Sequence, residues 1–242
     1  MATVCLAASV GPWDEEVRMA VKSAVRTKVK LDPERIIAAG LELAARPGVS
    51  AISVRELGTM LGADPTAIYR HFRSKDDLMR SLLDHILGSA LAEVDADAAW
   101  DDRLRQLTAR TIDWFVRYPA IGVEAVVLTT HGPGELGAIE LMLDAFTEAG
   151  LDEDQIVDHY ALMASHNLSG ATGVARARGE TPAADADEGA WLDEALIVDP
   201  RKYPKIAKFA VQLGELRDID LLLRGVEMII ESAKRTAASR PD

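Results

Sequence analysis

The stretch SVRELGTMLGADPTAIYRHFRSK, residues 53–75, constrains the fold of this chain more than any other. Ser53 followed by Glu56 is a capping box, in which each side chain can bond the other residue's backbone N–H and fix a helix start. Val54, Leu57 and Leu61 share one side of that helix, and Gly62 ends it, because glycine enters the left-handed conformation without a Cβ penalty. Asp64 then caps a second helix, with Pro65 in its first turn where no backbone donor is lost. Ile68 and Phe72 lie four apart on one face, which leaves Thr66, Ala67, Tyr69, Arg70 and His71 to other faces. Ser74 and Asp77 cap a third helix. Two short helices, a glycine turn and a polar, basic second helix describe a helix-turn-helix.

At these residues the chain resembles the DNA-binding domain of the tetracycline repressor (TetR) family of bacterial transcription regulators. The resemblance is carried by Ser53, Arg55 and Leu57, by the Leu61–Gly62 turn, and by Tyr69, His71, Phe72 and Lys75 in order. It implies a double-stranded DNA operator as partner. Thr66 and Ala67 would then stand at the groove-facing start of the reading helix, where a hydroxyl and a methyl meet base edges. Arg70 suits either a guanine or a phosphate, and Arg55 matches a position that reaches a base or the backbone. Tyr69, His71 and Lys75 match phosphate-clamping positions, Lys75 beside a helix N-terminus that itself attracts phosphate. Ser53 completes the expected set.

A net charge of −12 argues against nucleic acid until it is divided along the chain. Residues 22–80 hold eleven Lys or Arg against seven Asp or Glu, whereas residues 81–242 hold fifteen against twenty-nine. The positive charge is confined to the motif's segment, and DNA affinity depends on local phosphate neutralisation. The single cysteine, Cys5, excludes a disulfide framework, and no apolar run is long enough to span a membrane, so the expectation is a cytoplasmic protein with no membrane partner.

Residues 1–30 read as an N-terminal extension or basic arm, with Arg26, Lys28 and Lys30 at its end. Residues 31–78 form the helix-turn-helix domain, opened by a helix from Asp32 with Ile37, Gly40, Leu41 and Ala44 as its packed stripe. Residues 79–242 form a larger helical domain for ligand binding and dimerisation. The helix after Lys75 carries Leu78, Leu82, Leu83, Ile86, Leu87 and Leu91 out of the motif. Helix then resumes near Arg103 after an acidic loop over 92–102, and HGPGE, residues 131–135, is a turn between an apolar segment over 121–130 and the next helix. A helix over about 154–178 aligns Ile156, His159, Met163, His166, Gly170 and Val174, a loop follows from Gly179 to Gly189, and the last helix spans about 215–236. No strand-like alternation occurs, so the chain is all-α.

That last helix is apolar in nearly every direction, from Leu221 to Ile230, and needs cover from its own domain and from a second subunit, which predicts a homodimer. A small-molecule effector is expected among Trp114, Tyr118, His131, Phe146, His159, Met163, His166 and Asn167, since an apolar pocket with a few polar groups is the usual ligand site. His159 and His166 without a nearby acid make no persuasive metal site. Where tetracycline repressors present a chelating histidine, this chain offers Val127, so the effector is not expected to be a magnesium–tetracycline chelate. No cofactor is called for. No nucleophile–base pair or phosphate-cradling loop points to an enzyme. The reading is a ligand-responsive transcriptional repressor; the alternative is a helical ligand- or partner-binding protein without DNA output.

Overall fold

The computed structural model describes residues 31–180, 189–192 and 196–239, and among these the regular structure is helical, apart from one isolated bridge between Ala190 and Arg217. The expected arm at residues 1–30 lies outside the described residues. The order is α1 (Pro33–Ala44), α2 (Val54–Leu61), α3 (Pro65–Ile68), α4 (Lys75–Ala92), α5 (Trp100–Arg117), α6 (Pro119–Gly122), a 3-10 turn (Val123–Val126), α7 (Pro133–Glu148), α8 (Glu153–Glu180), α9 (Pro204–Gly214) and α10 (Asp218–Ala238).

α1 buries Ile36, Gly40, Leu43 and Ala44 against α2 and α4, and leaves Ile37 and Leu41 half-buried. The packed stripe is therefore rotated from the expected one. Ile36 and Ile37 are neighbours and leucine occurs at both 41 and 43, so two stripes are equally apolar and only docking selects between them. α4 starts at a cap in which Ser74 Oγ accepts the Asp77 N–H at 3.1 Å, while the Asp77 carboxylate accepts the Arg73 N–H at 2.9 Å. Its buried residues run from Leu78 to Ala90 without a break, packing first on α1 and then along α5 and α7. The expected boundary between residues 78 and 79 thus falls inside a continuous helix.

α5 begins at Trp100 rather than near Arg103. Asp101 and Asp102 occupy its first turn, where the helix dipole favours negative charge, so an acidic run that reads as loop extends the helix. The segment expected as one apolar piece over 121–130 divides into α6 and the 3-10 turn, with Val126 at the end of that turn and Val127 just after it both exposed. α8 continues to Glu180, into the span expected as a loop.

The body's core gathers Leu104 and Leu107 of α5, Met142 and Phe146 of α7, Met163 of α8, and Val226 and Ile230 of α10. α8 does not bury the single stripe expected of it. His159, Met163, Asn167, Ala171, Val174 and Ala175 face inward, whereas His166 turns toward α10, its Nε2 2.8 Å from the Leu222 carbonyl oxygen. α9 buries none of its residues.

An ion-pair net ties α5 to α10. Arg105 donates to both Glu227 oxygens, at 2.6 and 2.9 Å, and Lys234 Nζ lies 2.9 Å from Asp101. Bonds from Lys234 and Arg105 hold the Asp101 carboxyl below its ordinary range, and Arg105 does the same for Glu227. Both groups are less readily protonated folded than unfolded, so their stabilisation is complete above the unfolded pKa values and is lost as pH falls through the folded ones. The stability of the wild type should fall from about pH 5 downward. The Asp101→Asn/Glu227→Gln double variant should be less stable at neutral pH and show a shallower acid slope, as followed by circular-dichroism melts across pH.

Candidate functional site

The caps read from sequence are present in the motif. Ser53 Oγ accepts the Glu56 N–H at 3.4 Å, but the Glu56 carboxylate lies 3.9 Å from Arg46 instead of returning to Ser53, so only half of the capping box forms. Gly62 has φ 62°, and its N–H closes α2 on the carbonyls of Gly58 and Thr59. Asp64 caps α3 by accepting the Thr66 N–H at 2.8 Å and the Thr66 hydroxyl at 2.6 Å, bonds that hold its carboxyl below the usual range.

α3 itself is four residues long, and the chain continues as turn through His71. Two anchors hold this short segment: Ile68 is fully buried and Phe72 is 5% exposed. With the apolar positions turned in, Ser53, Arg55, Thr66, Tyr69, Arg70, His71 and Lys75 are exposed and Ala67 is half-buried. The Thr66 hydroxyl is engaged by Asp64, which gives that side chain a capping duty as well as a place on the outer face.

Behind α4 lies a cavity of about 80 Å³. Its walls come from Leu87 of α4, Leu107 and Thr111 of α5, Glu135, Ile139 and Met142 of α7, and Tyr160, Asn167 and Leu168 of α8. The same α7 is fastened to α4 at its N-terminus. Its N-cap is Gly132, which has no side chain to offer, and the capping group is supplied by Asp84 of α4. Asp84 accepts the Glu135 N–H at 3.0 Å, the Gly134 N–H at 3.2 Å and the Thr130 hydroxyl at 2.9 Å. Glu135 Oε2 then accepts the backbone N–H groups of Thr130, at 2.9 Å, and of His131, at 2.6 Å. Gly134 is required by close approach: a Cβ there would collide with the Asp84 carbonyl and lie 2.6 Å from the Gly88 nitrogen.

Residues 36–82, spanning α1, the two motif helices and the first half of α4, match the family described as bacterial regulatory proteins, tetR family. These residues carry a TetR-type DNA-binding domain. An HTH-type transcriptional regulator of Saccharopolyspora erythraea is 26% identical over 182 residues, 75% of this chain and 76% of that protein. The class A tetracycline repressor from transposon 1721 of Escherichia coli is 41% identical over 64 residues, 26% of this chain and 28% of the repressor. Among solved structures, a transcriptional regulator of Streptomyces coelicolor A3(2) superposes with a TM-score of 0.71 at 26% identity, covering 86% of this chain and 99% of that one. ActR of Streptomyces coelicolor, in complex with actinorhodin, superposes at 0.68 and 18% identity, with 87% and 100% covered, and shows the fold alone.

Within the helical body, the eight residues expected around an effector are scattered, and only Asn167 lies on the cavity wall. Phe146 is fully buried core, its ring centroid 5.6 Å from that of His159, and Met163 is in the same cluster. His159 is buried with Nδ1 2.8 Å from the Gln155 carbonyl oxygen. Trp114 stacks on Tyr118 at 5.6 Å and donates to Glu93, away from the cavity. His131 is exposed in the turn before α7, and His166 borders a separate open groove between α8 and α10. Polar and aromatic residues were the sequence signal, but the cavity is lined mainly by aliphatic side chains that read as ordinary core. Its polar wall residue Glu135 belongs to a motif, HGPGE, that reads only as a turn.

Lys75→Ala should weaken DNA binding about equally across sequences and lower the salt-dependence slope by about one, with the thermal melt unchanged, as measured by fluorescence anisotropy over a salt series. Phe72→Ala should instead cost about 3–5 kcal/mol of stability in urea denaturation.

Proposed function

We propose that this TetR-family chain is a ligand-responsive repressor, which binds a near-palindromic DNA operator as a homodimer and leaves it when a small molecule occupies the helical body. The observation that carries this reading is the Asp84 cap, which makes one helix both a part of the DNA-binding motif and the fixed partner of a cavity wall. A cavity of about 80 Å³ is smaller than the roughly 150 Å³ that takes up benzene, so an effector the size of a ring enters only as the walls part. Parting them shifts α7 against α4, and α4 sets where the motif is held. Ligand and DNA then favour different positions of α4 and oppose one another by linkage.

Exposed apolar side chains support the dimer. Val157 and Leu162 of α8 are each 58% exposed, and Met228 of α10 is 72% exposed, on the two helices whose open groove would take a second copy. Two reading heads about 34–36 Å apart then match one turn of DNA. We assign Ser53, Arg55, Thr66, Ala67, Tyr69, Arg70, His71 and Lys75 to the DNA face, with residues 31–78 as the DNA-binding portion and 79–242 as the ligand-binding and dimerisation portion. ActR, which shares the fold, is seen bound to actinorhodin, and this favours an apolar or aromatic effector here too. Val127 is 73% exposed and offers no chelating atom, which speaks against a magnesium–tetracycline effector. We assign the regulator to the cytoplasm; no helix among the described residues is long and apolar enough to cross a membrane.

Saturable, salt-sensitive retardation of the chain's own promoter DNA is the expected result of a gel-shift titration; its absence leaves a ligand-binding body without DNA output. Asp84→Ala should lower the affinity several-fold with a melt reduced by about one cap's worth, 0.5–2 kcal/mol, because α4 is no longer fixed to α7.

A further inference from the structure

On the reading just given, we propose that the effector is a compact aromatic or alicyclic molecule bearing a hydrogen-bond donor, a hydroxyl or an amine, which Glu135 receives while Asn167 takes a second polar atom. Most of the cavity wall is apolar, from Leu87, Leu107, Ile139, Met142 and Leu168, and its polar groups therefore carry the selection.

Asn167 is 7% exposed and lies on that wall. One end of its carboxamide meets Thr108 Oγ1 at 3.1 Å, and the Thr108 oxygen is also 3.0 Å from the Leu104 carbonyl. The other end of the amide has no hydrogen-bond partner among the described residues. That end is open to the cavity, where a ligand atom can hydrogen-bond to it. Because the single Thr108 hydrogen serves one acceptor at a time, the free end of the amide can be donor or acceptor, and a hydroxyl satisfies either.

Glu135 narrows the chemistry further. An ionised carboxylate only accepts, so the group it receives must donate, and a ligand carboxylate would be repelled. Oε2 serves Thr130 and His131, Oε1 has no donor, and neither Glu135 nor Asp84 has a cation paired to it among the described residues. His131 sits at φ 54°, a left-handed conformation that costs energy for a residue with a Cβ, and its N–H bond to Glu135 helps to hold it there. A ligand donor that draws Glu135 toward the cavity loosens that turn, and with it the N-terminus of α7 that Asp84 caps. The residues that select the effector are thus the ones that transmit its arrival.

The test is isothermal titration of the full chain with four single-ring probes: para-ethylphenol, para-ethylaniline, ethylbenzene and para-ethylbenzoate. The phenol and the aniline should each bind about tenfold tighter than ethylbenzene, or better, and the benzoate should not bind. In Glu135→Gln and Asn167→Leu proteins with intact circular-dichroism melts, the phenol should fall to the ethylbenzene level. The wild-type series decides the question even if a variant fails to fold. Equal affinity for phenol and hydrocarbon, preference for the benzoate, or no binding of any probe overturns the donor requirement. The promoter gel shift, run on the same protein, reads separately on repression: retained DNA binding with failed probe selectivity sinks this inference alone, and selectivity without DNA binding sinks only the repressor.

Discussion

An α-helix leaves its first backbone N–H groups without partners, and in this protein the carboxylate that satisfies those of α7 belongs to a different helix. Asp84 of α4 bonds the Gly134 and Glu135 N–H groups, so the start of α7 is formed only while α4 lies alongside it. The requirement is local, polar and directional, unlike the diffuse apolar packing that holds the rest of the body. It makes the relation between the two helices a matter of two alternatives rather than a continuum: the cap is made or it is lost. Gly134 contributes by having no side chain, which lets the two backbones meet.

The motif at the other end of α4 depends on the same helix in a different way. α3 is too short to hold itself as a free helix, since nucleation is costly and four residues return little. It keeps its place because Ile68 and Phe72 are buried and because Asp64 and Gly62 fix where the chain enters and leaves the turn. Tyr69, Arg70, His71 and Lys75 are thereby exposed on a base fixed by buried side chains. The acidic body contributes nothing attractive to DNA, so on the proposed reading the affinity comes from this small basic face.

The charge net between α5 and α10 has another role. Arg105 and Lys234 bind Glu227 and Asp101 at the surface of the body, partly exposed to solvent, where ion pairs add little individually but fix register between helices. α5 and α10 are therefore joined by charge at their surface, as α4 and the α7 N-terminus are joined by the Asp84 cap.

Local chemistry made the motif legible in the sequence. Caps, the left-handed glycine and the spacing of Ile68 and Phe72 are properties of residues within a few positions of one another, and the structure returns them with only the reciprocal Glu56 bond missing. The all-helical class was legible for the same reason, through periodicity. What only the tertiary structure decided was which of two equivalent apolar stripes faces inward on α1, where α8 divides its histidines, and which residues line the cavity. Asp84 and Gly134 are fifty residues apart, and nothing in their local patterns joins them. Asp84 reads as a polar position on a helix, Glu135 as part of a turn and Leu87 as core. Their shared role comes from the approach of two backbones, and the residues adjacent to them in the sequence carry no mark of it.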